Sequence, residues 1–142
     1  MFGEALDITP QDLALDWLHD ISLGAAPDII AIIVRSFVVG NVFGVPTTSD
    51  AQTRQLTIST LDAMHGAWCS QQRALGKTPT DASLEVGKFG TLTDPPCKLK
   101  GAQANLFLEL LVSLLFDRRG QLTDGELLYA AGSSLMDCIN YC

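Results

Sequence analysis

The stretch 102–116, AQANLFLELLVSLLF, constrains the fold more than any other part of the chain. Only Gln103, Asn105, Glu109 and Ser113 interrupt its apolar letters. The last three are spaced four apart, so on an α-helix they form one narrow polar stripe and leave the remaining circumference apolar. A helix of that kind must be covered on nearly every side, by its own chain, by partner subunits or by lipid.

Lipid is the weakest of those three. The stretch carries Glu109 and Asn105, and the other greasy run, 29–45, carries Arg35 and Asn41. Both fall short of the roughly 20 apolar residues that a bilayer core demands, and charge at mid-span is costly. Buried helices are expected, with no membrane partner. The N-terminal MFGEALDITPQD has neither a basic n-region nor an apolar h-region, so secretion by a signal peptide is not expected. The expected location is the cytoplasm or a virion.

Helical punctuation recurs along the chain. Thr9 and Pro10 open a first helix with Leu13, Trp17, Leu18 and Ile21 at helical spacing, stopping near Gly24. Pro27-Asp28 opens a second, running to Gly40. Its many β-branched residues would suit a strand, but its length favours a helix. Ser49 or Asp50 caps a third, running to about Leu75 with Leu56, Leu61, Met64, Trp68 and Leu75 on its buried side. Gly66 in its interior marks a kink or a close helix crossing. The 102–116 helix ends at Asp117-Arg118-Arg119, with Gly120 beyond its cap. Thr123 and Glu126 have capping-box spacing for a final helix, whose buried side is read as Leu127, Leu128, Ala131, Leu135, Cys138 and Ile139. Between the third helix and 102–116 lies a segment, 76–101, rich in glycine and proline without a sustained helical period. Leu84 to Val86 and Phe89 to Leu92 leave room there for a short β-hairpin around Gly87-Lys88. The fold class expected is all-α: a single domain over 1–142, with about five helices packed around 102–116 and an irregular insert at 76–101.

Metal binding is the sharpest chemical possibility. His65 and Cys69 are four apart, as are Cys138 and Cys142, and Cys97 could complete a tetrahedral set for zinc. No CxxC knuckle accompanies them and the pairs come from distant helices, so the expectation is Cys69 and Cys138 in the core, Cys97 and Cys142 incidental, and no metal or cofactor. Catalysis has still less to stand on. No GxSxG elbow, P-loop or GxGxxG occurs. A His65–Cys69 nucleophile pair lacks a third, orienting residue. No catalytic residue is assigned and an enzyme is not expected.

Charge and aromatic residues point to association instead. With 16 acidic and 9 basic residues the formal net charge is −7, which repels nucleic-acid backbones and argues against direct nucleic-acid binding. Asp12, Asp16 and Asp20 form an acidic ridge, either a solvated face or a surface for a basic partner. Trp17, Trp68, Phe107, Phe116, Tyr129 and Tyr141 are residue types enriched at interface centres, although core packing would use them equally well. Phe89 and Leu92 are the insert's candidates for partner contact.

The run LLVSLLFDRRG, followed by a polar cap, is similar in general character to helical phage connector subunits, and no residue is carried across on it. The function expected is non-enzymatic: a structural subunit of a larger assembly, of virion or connector type, in a homo-oligomer or with other subunits. The alternative is a small acidic binding protein (an inhibitor, immunity protein or secretion chaperone) that uses the aspartate ridge against a basic protein surface.

Overall fold

Every regular element among the residues described is helical. The structure is a computed structural model, and it describes residues 24–46, 48–77, 84, 86–89, 97, 99 and 101–141. The elements are α1 (Ala26–Gly40), α2 (Asp50–Ala74), α3 (Gly101–Arg118) and α4 (Gly125–Asn140), with 3₁₀ turns at Val86–Phe89 and Arg119–Gln121. The chain is all-α in these residues, and none of these helices is long and apolar enough to cross a membrane. The helix expected from Thr9 lies outside the described residues.

In α1 the β-branched residues go into a helix because burial rather than propensity decides. Ile30, Ile33, Val34 and Phe37 recur at helical spacing and are buried. Pro27 sits in the first turn, where its missing N–H costs nothing, and Asp28 beside it suits the helix dipole. The stop is Asn41 rather than Gly40. Asn41 takes the left-handed conformation, φ 44°, and returns its N–H to the Phe37 and Val38 carbonyls. Its side chain both donates to the Val45 carbonyl (3.2 Å) and accepts from the Val45 N–H (3.1 Å). Phe43, just beyond, meets the Phe37 ring edge-on and lies under the Arg118 guanidinium. That contact ties the exit of α1 to the end of α3.

Ser49 caps α2 as its sequence suggests, accepting from the Gln52 N–H at 3.2 Å. Gln52 reaches back one residue further, to the Thr48 N–H at 2.9 Å. The helix buries one narrow stripe: Thr57, Ile58, Leu61, His65 and Cys69. Met64 and Trp68 flank it, half-buried against the core. Leu75, expected on this side, is instead exposed, because the chain leaves the helix just before it. Gly66 marks no close crossing: α2 continues through it, and a Cβ there would meet open space.

Helix α3 buries Ala104, Phe107, Leu108, Leu111 and Leu115 along one face and Leu110 beside it. Each buried Phe or Leu contributes roughly 1.5–3 kcal/mol. Glu109 and Ser113 are exposed as the stripe predicts, with Asn105 half-buried at its start. Both α3 and α1 touch the other three helices.

Three local expectations are corrected. No hairpin forms at Gly87-Lys88: Val86–Phe89 is a 3₁₀ turn. Leu84, Phe89 and Leu99 are buried in the core, and the Leu84 N–H is satisfied by Asp62 of α2 at 2.7 Å, so these positions dock on the helices instead of pairing with each other. Gly120 does not close α3 in a left-handed turn. The chain tightens into the Arg119–Gln121 3₁₀ turn, and the Arg119 guanidinium donates to the Phe116 carbonyl. The capping box is not made either. Asp124 is the N-cap, at φ −105° and ψ 22° rather than extended, with no side-chain cap bond. Glu126 turns away to pair with Arg119 at 3.1 Å. On the inward face of α4 Leu128 is buried and Leu135 and Ile139 pack against the core as the spacing predicts, whereas Leu127 is exposed.

Candidate interaction surface

The corner between α3 and α4 is fixed by one cationic side chain. Arg119 lies over the Phe116 ring (4.4 Å) and near that of Tyr129 (5.5 Å), while its Nε donates to Glu126. The two rings pack against each other with centroids 5.6 Å apart. A guanidinium between aromatic faces gains cation–π attraction as well as its ion pair. Gly125 completes the corner, since a Cβ there would overlap the Arg119 carbonyl.

This corner holds residues 121–124 against the outer flank of α1. Leu122 reaches so close to Gly40 that a Cβ on Gly40 would lie 2.8 Å from its Cδ2. Between them opens a cleft of about 410 Å³. Ile32, Arg35 and Val39 line one wall, and Leu122, Thr123 and Asp124 the other. Ile32 and Val39 are 45% and 71% exposed, on the side of α1 away from the core. Neither the Arg35 nor the Asp124 side chain has a hydrogen-bond or ion-pair partner among the described residues. The cleft therefore sets three aliphatic side chains among polar ones, Ser36, Gln121 and Thr123, with one cation and one anion that find no partner among the described residues.

The chemistry-bearing residues singled out from the sequence sit elsewhere. His65 and Cys69 do come together, Sγ to Nε2 at 3.6 Å, but both are buried and the imidazole meets Phe107 edge-on. Cys97 is half-buried near Leu99 and Asp28. Burial pushes its thiol pKa up, the Asp28 charge adds to that, and a backbone hydrogen bond at Leu99 partly opposes it. Cys138 is half-buried on α4. Among the described residues no three His, Cys, Asp or Glu side chains converge as a metal site, and Cys69, Cys97 and Cys138 are not in disulfides. Phe89, offered as a partner contact, packs inward against Phe107 with centroids 6.0 Å apart. Asp12, Asp16, Asp20, Leu92 and Cys142 lie outside the described residues.

The sequence did hold a sign of the cleft. Ile32 and Val39 are seven apart on the side of α1 opposite Ile30, Ile33, Val34 and Phe37, so this helix too is apolar on more than one face. Comparison with known proteins adds nothing to this geometry: no family model, curated protein or solved structure matches the chain.

Proposed function

We propose that the chain is a non-enzymatic structural subunit that packs into a larger protein assembly, of virion or connector type, in a homo-oligomer or with other subunits. In this reading the whole chain is a bundle of about five helices around 102–116, and the insert at 76–101 and the chain ends add contacts of their own. The observation that carries the reading is apolar surface left to solvent. Besides Ile32 and Val39, Leu127 is 70% exposed and Phe116 53%. Single exposed aliphatic residues are ordinary, but Ile32 and Val39 share one wall of the cleft, and paired apolar residues at a cleft suit a surface that another protein covers.

Sedimentation velocity on the untagged chain over a wide concentration range tests the proposal. A defined oligomer, or mass that grows with concentration, is expected. A chain that stays monomeric at every concentration overturns the homo-oligomer, leaving only assembly with other subunits, and makes the ridge of Asp12, Asp16 and Asp20 the feature to test against basic proteins.

A further inference from the structure

We infer that the cleft between α1 and the α3–α4 corner is a two-fold interface with a second copy of this chain, in which Arg35 of each protomer pairs with Asp124 of the other. The inference rests on the assembly reading above and goes further by naming the surface and its symmetry.

Charge complementarity decides the occupant. Arg35 and Asp124 line one cleft and both are exposed. Neither side chain finds a partner among the described residues, and they do not bridge to each other. An acidic partner would satisfy only Arg35 and a basic one only Asp124. A surface carrying both signs side by side is its own complement, and a two-fold axis between the residues brings each against its opposite twice over. Two chains of formal charge −7 repel at long range. Contact is then favoured where a cation is available, and Arg35 supplies one in the cleft.

The apolar surroundings suit the same occupant. Ile32 and Val39 on one wall and Leu122 on the other add apolar area among the polar lining residues, the mixed composition of an ordinary protein–protein interface. A stable dimer of ordinary size covers about 800 Å² per partner, roughly a tenth of the 8543 Å² surface of this chain. The contact therefore extends past the cleft. Leu127, three residues beyond Asp124 and so on the same side of the first turn of α4, is the exposed apolar residue in position to be covered.

Charge reversal in trans tests this directly. Arg35→Glu and Asp124→Lys are prepared as separate full-length proteins, each checked by circular dichroism for wild-type helix content. Each variant alone faces like charges across the two-fold and is expected to weaken self-association on the order of a hundredfold or more. Mixing the two restores both opposite-sign pairs, so a heterodimer should form at wild-type affinity, visible in native mass spectra when one variant is isotope-labelled. Restored pairing in the mixture also shows that both variants were folded. Wild-type chain that oligomerises while neither reversal changes its mass overturns this interface and leaves the assembly reading standing, with another occupant for the cleft. Association lost in each variant but not regained in the mixture equally overturns the Arg35–Asp124 pairing. Wild-type chain that is monomeric throughout overturns both this interface and the homo-oligomeric form of the assembly reading.

Discussion

Thr57 lies on the buried stripe of α2 with no surface exposed, and its hydroxyl has no hydrogen-bond partner among the described residues. Its neighbours behave differently: Thr60 donates to the Leu56 carbonyl at 2.8 Å and Thr53 to the Ser49 carbonyl at 3.0 Å. A buried hydroxyl left unsatisfied costs about 1–3 kcal/mol. Thr57→Val keeps the shape and removes the cost, and the two residues have similar helix propensities. The variant should gain about 1 kcal/mol, raising Tm by a few degrees, whereas Thr60→Val should gain nothing. Equal melting temperatures for Thr57→Val and wild type would mean that the hydroxyl is satisfied in solution. Cys97 makes a second prediction at this scale. Its folded-state thiol pKa is raised, chiefly by burial, so the folded protein holds that proton more tightly than the unfolded chain does. The associated stability is complete below the ordinary thiol pKa of about 8.5 and is lost as pH rises through the folded value. Thermal melts from about pH 7.5 to pH 10 should therefore fall less steeply for Cys97→Ala than for wild type. Iodoacetamide should also label Cys97 more slowly in the native protein than in urea.

At the scale of elements, two glycines that look alike in the sequence do opposite things. Gly66 sits in the exposed interior of α2 with open space around its Cβ position, so Gly66→Ala should stabilise by up to roughly 1 kcal/mol. Gly125 opens α4 against the Arg119 carbonyl. That backbone cannot yield without moving the corner, and Gly125→Ala should destabilise by about 1–3 kcal/mol or more. Urea midpoints moving in opposite directions would support both assignments; a neutral Gly125→Ala would sink the second. Nothing in the residue pattern separates the pair, because the difference lies in what the rest of the chain brings near. The same holds for the misread local signals. The spacing of Ile30, Ile33, Val34 and Phe37 and the cap at Ser49 are local, and they were legible. The capping box at Thr123 is local too, yet it loses to Arg119, which reaches Glu126 from the end of α3. The pattern offers Leu84 and Phe89 to a hairpin and gives no role to Leu99, because their segment lacks periodicity, but single side chains need no periodicity to fill a core. Arg35 and Asp124 are far apart in sequence, and only folding shows that they share a cleft.

At the scale of the molecule, the question is whether the four described helices and the core residues Leu84, Phe89 and Leu99 melt as one. Gly132 is where three helices meet: a Cβ added there would lie 3.0 Å from Val112 Cγ2 of α3 and 3.8 Å from Ile33 Cδ1 of α1. Gly132→Leu forces that junction apart and should cost about 1–3 kcal/mol, the usual range for overpacking. Helix α2 is absent from the junction. It joins the rest through its own stripe and through the insert, with Asp62 holding Leu84 and His65 meeting Phe107. Trp68, half-buried on α2, reports on that side of the molecule. The chain has two tryptophans, so a Trp17→Phe background leaves its fluorescence alone to follow. Phe107 packs against His65 and Phe89 while its own helix packs against α1 and α4, so the two sides share core side chains and strain at one should be felt at the other. Gly132→Leu should then lower the urea midpoint equally by Trp68 fluorescence and by far-ultraviolet circular dichroism, with the m-value unchanged. If the dichroism midpoint falls while the Trp68 transition stays where it was, α2 and the insert form a separate folding unit, and the shared core around Phe107 is not what couples them.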